Sequence, residues 1–80
     1  MATGISADIC VRFGKRVRRL REARDWSLTY FSVHSGLAKT FVHDIETGKK
    51  EPCLRTVETI ATSFEMTVAQ LMRGINQKHK

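Results

Sequence analysis

Eighty residues leave room for one domain and no second core. Hydrophobic residues at 41% and charged residues at 28%, with one proline and five glycines, exclude a disordered, collagen-like or linker-dominated chain, and no apolar run approaches the ~18 residues of a membrane span. Fourteen Lys and Arg against eight Asp and Glu give a net charge of +6, which points to a polyanionic partner.

The first seven residues read as a flexible tail without the basic and apolar regions of a secretory signal. The domain is expected over residues 8–75, with 76–80 a frayed C-terminus. Asp8 is placed to cap a first helix running to about Arg24. Ile9, Phe13, Val17 and Leu20 repeat at helical spacing, while Arg12, Lys15, Arg18 and Arg19 fall largely on the other side. Seven of the fourteen basic residues lie in this one segment, 12–24. The charge is therefore either a partner surface or a solvated helix face.

Ser27 caps a second helix, 28–35, with Phe31 and Ser32 facing inward. Gly36 ends it in the left-handed conformation of a tight turn, and Leu37 plugs the core beyond. A third helix spans about 38–48, with Val42 and Ile45 buried. Pro52 or Cys53 opens a fourth through Phe64, whose apolar face is Leu54, Val57, Ile60, Ala61 and Phe64. After Met66, Thr67 caps a short fifth helix, 68–73. Alternation of apolar and polar residues is missing, so the fold class is all-α, with five helices.

The segment 27–48 has helix-turn-helix geometry. Its second helix is held out to enter a major groove about 12 Å wide. The first lies across the backbone, where the N–H groups and dipole of its N-terminus meet a phosphate. The detail goes further. Phe13-Gly14-Lys15-Arg16-Val17-Arg18-Arg19-Leu20-Arg21, Trp26-Ser27-Leu28, Gly36-Leu37, Val42, Ile45-Glu46-Thr47-Gly48-Lys49 and Pro52 resemble the phage-repressor and Cro-type (xenobiotic-response-element) helix-turn-helix family. The joint at 63–67 and Leu71 complete the likeness, which covers about three quarters of the chain.

The resemblance implies a compact lambda-repressor-like domain that binds double-stranded DNA as a sequence-specific transcriptional regulator. It implies base reading by Lys39, Thr40, His43 and Asp44. Phosphate contacts are expected from Arg16, Thr47, Lys49 and Lys50, with the backbone of Ser27, Leu28 and Thr29. Leu28 stands where family members often carry a phosphate-touching glutamine, so backbone N–H groups must serve there. A structural salt bridge is expected between Arg21 and Glu46.

Val68, Leu71, Met72 and Ile75 are more apolar surface than so small a domain needs, and are assigned to a homodimer face on a palindromic operator. His34, His43, His79, Cys10 and Cys53 show no zinc-like spacing, and no catalytic constellation stands out, so neither metal, cofactor nor enzymatic activity is expected. Cys53 opens a helix, where its thiolate is favoured. The expected location is the cytoplasm, with no membrane partner. The competing function is a protein-interaction module, such as an antitoxin binding a toxin through Tyr30 and Val33.

Overall fold

Local capping chemistry sets most of the element starts. In the computed structural model, which describes residues 8–76, the order is α1(Ile9–Ala23), α2(Leu28–Ser35), α3(Lys39–Glu46), α4(Leu54–Ser63) and α5(Val68–Met72). The expected tail 1–7 and all but the first residue of 76–80 lie outside the described residues. The Asp8 carboxylate accepts from Cys10 N at 3.2 Å, and Ser27 Oγ from Tyr30 N at 2.9 Å. Thr67 and Gln70 form a reciprocal capping box, 3.0 and 2.8 Å, which starts the five-residue α5.

The helix ends are less visible in sequence. Three of them close with the same pair of backbone bonds, one reaching five residues back and one three. Trp26 N reaches Arg21 O, Lys49 N reaches Asp44 O, and Met66 N reaches Ala61 O. Such an end needs one left-handed residue. Gly48 supplies it for α3, but Asp25 and Glu65 supply it for α1 and α4 at φ 59°. A side chain in that region costs about 1–2 kcal/mol. Glu65→Gly is therefore expected to stabilise the domain by about 0.5–1 kcal/mol after glycine's own entropy is deducted. A melting temperature raised by roughly 2–8 °C would register it. A fall would mean that the Glu65 side chain contributes more than its backbone costs.

Phe13, Val17, Phe31, Val42, Ile45, Ile60, Phe64 and Leu71 make one core, with Leu20, Trp26, Leu28, Leu37 and Met66 packed against it. Two expectations need correction. Leu54 is 84% exposed, because it occupies the first position of α4, before the helix reaches the core. Leu71 and Ile75 are buried, at 0% and 7% exposure. With only five residues, α5 buries its single apolar turn against α1 and α4, so these two side chains cannot form a dimer face. Val68 remains exposed and Met72 half-buried.

The arginines of α1 are not simply a charged surface. Arg12 NH1 donates to Ile75 O at 2.7 Å and to Asn76 Oδ1 at 2.8 Å. Arg16 donates to Leu71 O and Gln70 O at 3.0 and 2.8 Å. Arg24 donates to Leu20 O and Phe64 O, both at 3.1 Å, and lies over the Phe64 ring. Carbonyls at a helix C-terminus have no intrahelical partner and carry partial negative charge. α1 supplies the missing donors at the ends of α4 and α5.

Candidate nucleic-acid interface

The turn between α2 and α3 is fixed by its own polar groups. Gly36 takes φ 80°, and its N–H donates to Ser32 O at 2.9 Å. Ser32 Oγ donates to Leu37 O, and Leu37 N donates to Ser35 Oγ at 3.2 Å. Phe31 and Val42 then fill the angle between the helices, both essentially inaccessible.

That packing divides α3 into two faces. Val42, Ile45 and Glu46 are buried, while Lys39, Thr40 and His43 are exposed. At ~100° per residue, Thr40, His43, Asp44 and Thr47 share one outward stripe, with Lys39 at its N-terminal end. Asp44 is half-buried, and its carboxylate lies 3.9 Å from His43 Nδ1. The Asp44 carbonyl accepts from Lys49 N and Lys50 N at 2.8 and 3.3 Å, which anchors the following basic loop to α3. Ala38 caps α3 with no side-chain acceptor.

The other sequence-predicted residues divide sharply. Lys49, Lys50 and Thr47 are exposed at the C-terminal end of α3. The Thr47 hydroxyl donates back to His43 O at 3.0 Å. The Ser27 hydroxyl is occupied as the α2 cap, while Leu28 and Thr29 stand in the first turn, where N–H groups have no intrahelical acceptor. Leu28 packs its side chain against the core. Arg16 is removed from the phosphate set: its guanidinium holds the α5 carbonyls, on the far side of α1 from α3.

α3 is braced from behind. Arg21 Nε donates to Glu46 Oε2 at 2.7 Å, Arg21 NH2 to Glu46 Oε1 at 3.0 Å, and Arg21 NH1 to Trp26 O at 2.8 Å. The side chains are 11% and 4% exposed, so the fork sits almost out of water. The bond to Glu46 pushes the Arg21 pKa up, against the effect of burial. A second brace appears in sequence only as two glycines. A Cβ on Gly14 would lie 2.6 Å from Glu46 O and still closer to Ile45 O. A Cβ on Gly48 would lie 2.7 Å from Val11 Cγ2. The backbones of α1 and α3 thus touch where α3 ends, and the sequence trace is a glycine on each side, Gly14 in mid-helix and Gly48 at the helix end.

Of the residues for the competing reading, Val33 is 78% exposed, while Tyr30 is half-exposed and stacks on His34 with centroids 5.6 Å apart. Among the described residues no group of three His, Cys, Asp or Glu is placed to hold a metal ion, and His79 lies outside them. Cys53 stands at the N-cap position of α4, where the Thr56 hydroxyl, 3.5 Å from its Sγ, and the neighbouring N–H groups favour the thiolate and push its pKa down; partial burial and Asp8 push that of Cys10 up. No helix among the described residues is long and apolar enough to cross a membrane.

A family model described as "Helix-turn-helix domain" matches residues 12–74. The control protein C.MunI of Mycoplasma sp is 32% identical over 72 residues, covering 89% of this chain and 97% of that protein. The HTH-type transcriptional regulator AnsR of Bacillus subtilis is 32% identical over 63 residues, 79% of this chain but 54% of AnsR. Among solved structures, the restriction-modification controller protein C.AhdI of Aeromonas hydrophila superposes with a TM-score of 0.74 at 31% identity, covering 78% of this chain and 94% of that one. The controller C.Esp1396I shares the fold at a TM-score of 0.78 and 14% identity, over 94% of this chain and all of that one.

Proposed function

The chain belongs to the xenobiotic-response-element type of helix-turn-helix family, whose members are DNA-binding transcription regulators, and from that membership we propose that it acts as a restriction–modification controller, binding a palindromic operator as a dimer. The observation that carries this reading is the division of α3. One face is buried and braced by Arg21, and the other presents Lys39, Thr40 and His43 free of the fold. Lys39 donates to guanine O6 and N7, Thr40 meets a thymine methyl or a base edge, and His43 donates to an acceptor. Asp44 accepts from cytosine N4. Thr47, Lys49, Lys50 and the N–H groups of Leu28 and Thr29 set the register on phosphates. The controller assignment is supported by C.MunI and C.AhdI, which are 32% and 31% identical to this chain and matched over 97% and 94% of their own length. Such a regulator works in the cytoplasm, where its DNA is.

The dimer face follows from the apolar side chains that the core leaves out. Leu54 and Val68 line one shallow recess with Arg55 and Glu58. A twofold axis there joins apolar to apolar and sets each Arg55 against the partner's glutamate. With domains of 12.4 Å radius of gyration, such a pair suits recognition helices about 34 Å apart, one turn of DNA.

Selection from a random duplex library at two salt concentrations tests the reading. A palindrome with half-sites about one turn apart should be enriched. Lys39→Ala and Thr40→Ala should each weaken the selected site by about 1–3 kcal/mol and relax preference at one position per half-site. Leu54→Glu should reduce full-site binding to half-site strength. Binding that is lost at high salt and never enriches a sequence would reject operator recognition.

A further inference from the structure

The groove between α1 and the C-terminal end of α5 gathers cations that the helix-turn-helix does not use. Arg12, Lys15, Arg16, Arg19 and Arg73 line a single recess of about 410 Å³ beside Gly74, and no acidic residue among the described residues lines it. Arg12 and Arg16 are held in place by backbone carbonyls. The side chains of Lys15, Arg19 and Arg73 are exposed and form no ion pair or hydrogen bond among the described residues. The crowding is registered at Arg16, whose pKa is pushed down by burial and then by the charges of Arg19 and Arg73. At ~100° per residue, Arg12, Arg16 and Arg19 stand about 140–200° round α1 from Gly14, which touches α3. The groove therefore faces away from the recognition helix, and a duplex lying against α3 does not reach it.

We propose that this groove is a second anion site, taking a compact oligophosphate, either free or as the phosphate chain of a nucleotide. Its size is that of a small-molecule site. Planar guanidinium forks match phosphate oxygens in pairs, and those of Arg19 and Arg73 are open, while Arg12 and Arg16, with donors held by carbonyls, add fixed positive charge. Three or four negative charges within a few ångströms suit five converging cations. A peptide is disfavoured because its binding relies on buried apolar anchors, and among the described residues Ile75, itself buried, is the recess's only apolar side chain. The site goes beyond operator binding and does not depend on it.

The test uses the whole chain without DNA. Tripolyphosphate is titrated at constant ionic strength while backbone amide shifts are followed. The expected result is saturable shifts at residues 15, 19, 73 and 74, with little change at 39, 40, 49 and 50. An Arg19→Gln/Arg73→Gln double variant should keep its melting temperature, since neither side chain bonds to the fold. It should bind tripolyphosphate about tenfold or more weakly. ATP binding more tightly than tripolyphosphate would assign the site to a nucleotide, and equal binding to the phosphate chain alone. Shifts that fail to saturate, or spread equally to Lys39, Lys49 and Lys50, would overturn the proposal. So would undiminished binding by the double variant. A non-operator duplex that saturates the same amides at lower concentration than tripolyphosphate would make the groove a DNA contact instead.

Discussion

Gly14→Ala is expected to cost about 3 kcal/mol or more, far beyond what one methyl group implies. Alanine is the better helix former, and on propensity alone the change would stabilise α1 by about 1 kcal/mol. The packing reverses that sign. The added Cβ would lie 2.6 Å from Glu46 O, with Ile45 O nearer still. Both obstacles are backbone at the end of α3, so no side chain can rotate to make room. Relief requires α1 and α3 to separate, and Val17, Ile45 and the Arg21–Glu46 fork span that same boundary. Overpacking a tight site costs about 1–3 kcal/mol when side chains absorb it, and more when they cannot. For a domain of this size, 3 kcal/mol lowers the melting temperature by roughly 12–24 °C. Gly36→Ala provides the contrast. A Cβ there meets nothing within 4 Å, so the cost is the left-handed conformation alone, about 1 kcal/mol. Thermal denaturation of the two variants side by side checks the argument. Equal melting temperatures would mean that α1 and α3 are not in backbone contact.

The two glycines also mark how far the sequence could be read. Gly36 follows a helical stripe and precedes a lone leucine, so its turn is legible from local order. The helix starts are legible for the same reason: Asp8, Ser27 and Thr67 each act within three residues. Gly14 acts on α3, more than thirty residues away, and nothing local distinguishes it from a tolerated glycine. The same limit explains Arg16. Its place on a basic helix fits a phosphate contact, but the carbonyls it meets are 54 and 55 residues distant. Leu71 and Ile75 show the limit for apolar residues: pattern says that they seek burial, and only packing says where. The outward stripe of α3 was legible too, because helical periodicity sets it about half a turn from Val42 and Ile45.

The Arg21–Glu46 fork is expected to matter more for the pose of α3 than for the stability of the fold. Removing either partner alone should be severe. Glu46→Ala leaves a guanidinium at 11% exposure with only Trp26 O, and Arg21→Ala leaves a carboxylate at 4% exposure with no cation. Breaking a buried pair in this way costs about 3–5 kcal/mol. Arg21→Lys should recover little, because an ammonium cannot make both bonds of the fork and still reach Trp26 O. Replacing both residues together is the informative case. An Arg21→Met/Glu46→Leu variant removes both desolvation penalties and fills similar volume, so folding stability should return to near that of the parent. What does not return is direction. Two parallel bonds fix the angle between the helices, and apolar contact does not. The doubly substituted chain should therefore melt close to the parent while binding a selected operator duplex about tenfold or more weakly, with its non-specific, salt-sensitive binding unchanged. The Arg21 side adds no pH dependence near neutrality. Its pKa is raised from an already high value, so its stabilisation is complete below that range and is lost only in strong alkali. Denaturant titration and duplex binding on one preparation separate the two effects. Parent-like operator affinity in the double variant would reduce the fork to packing and leave the Gly14 contact as the sole positioning device.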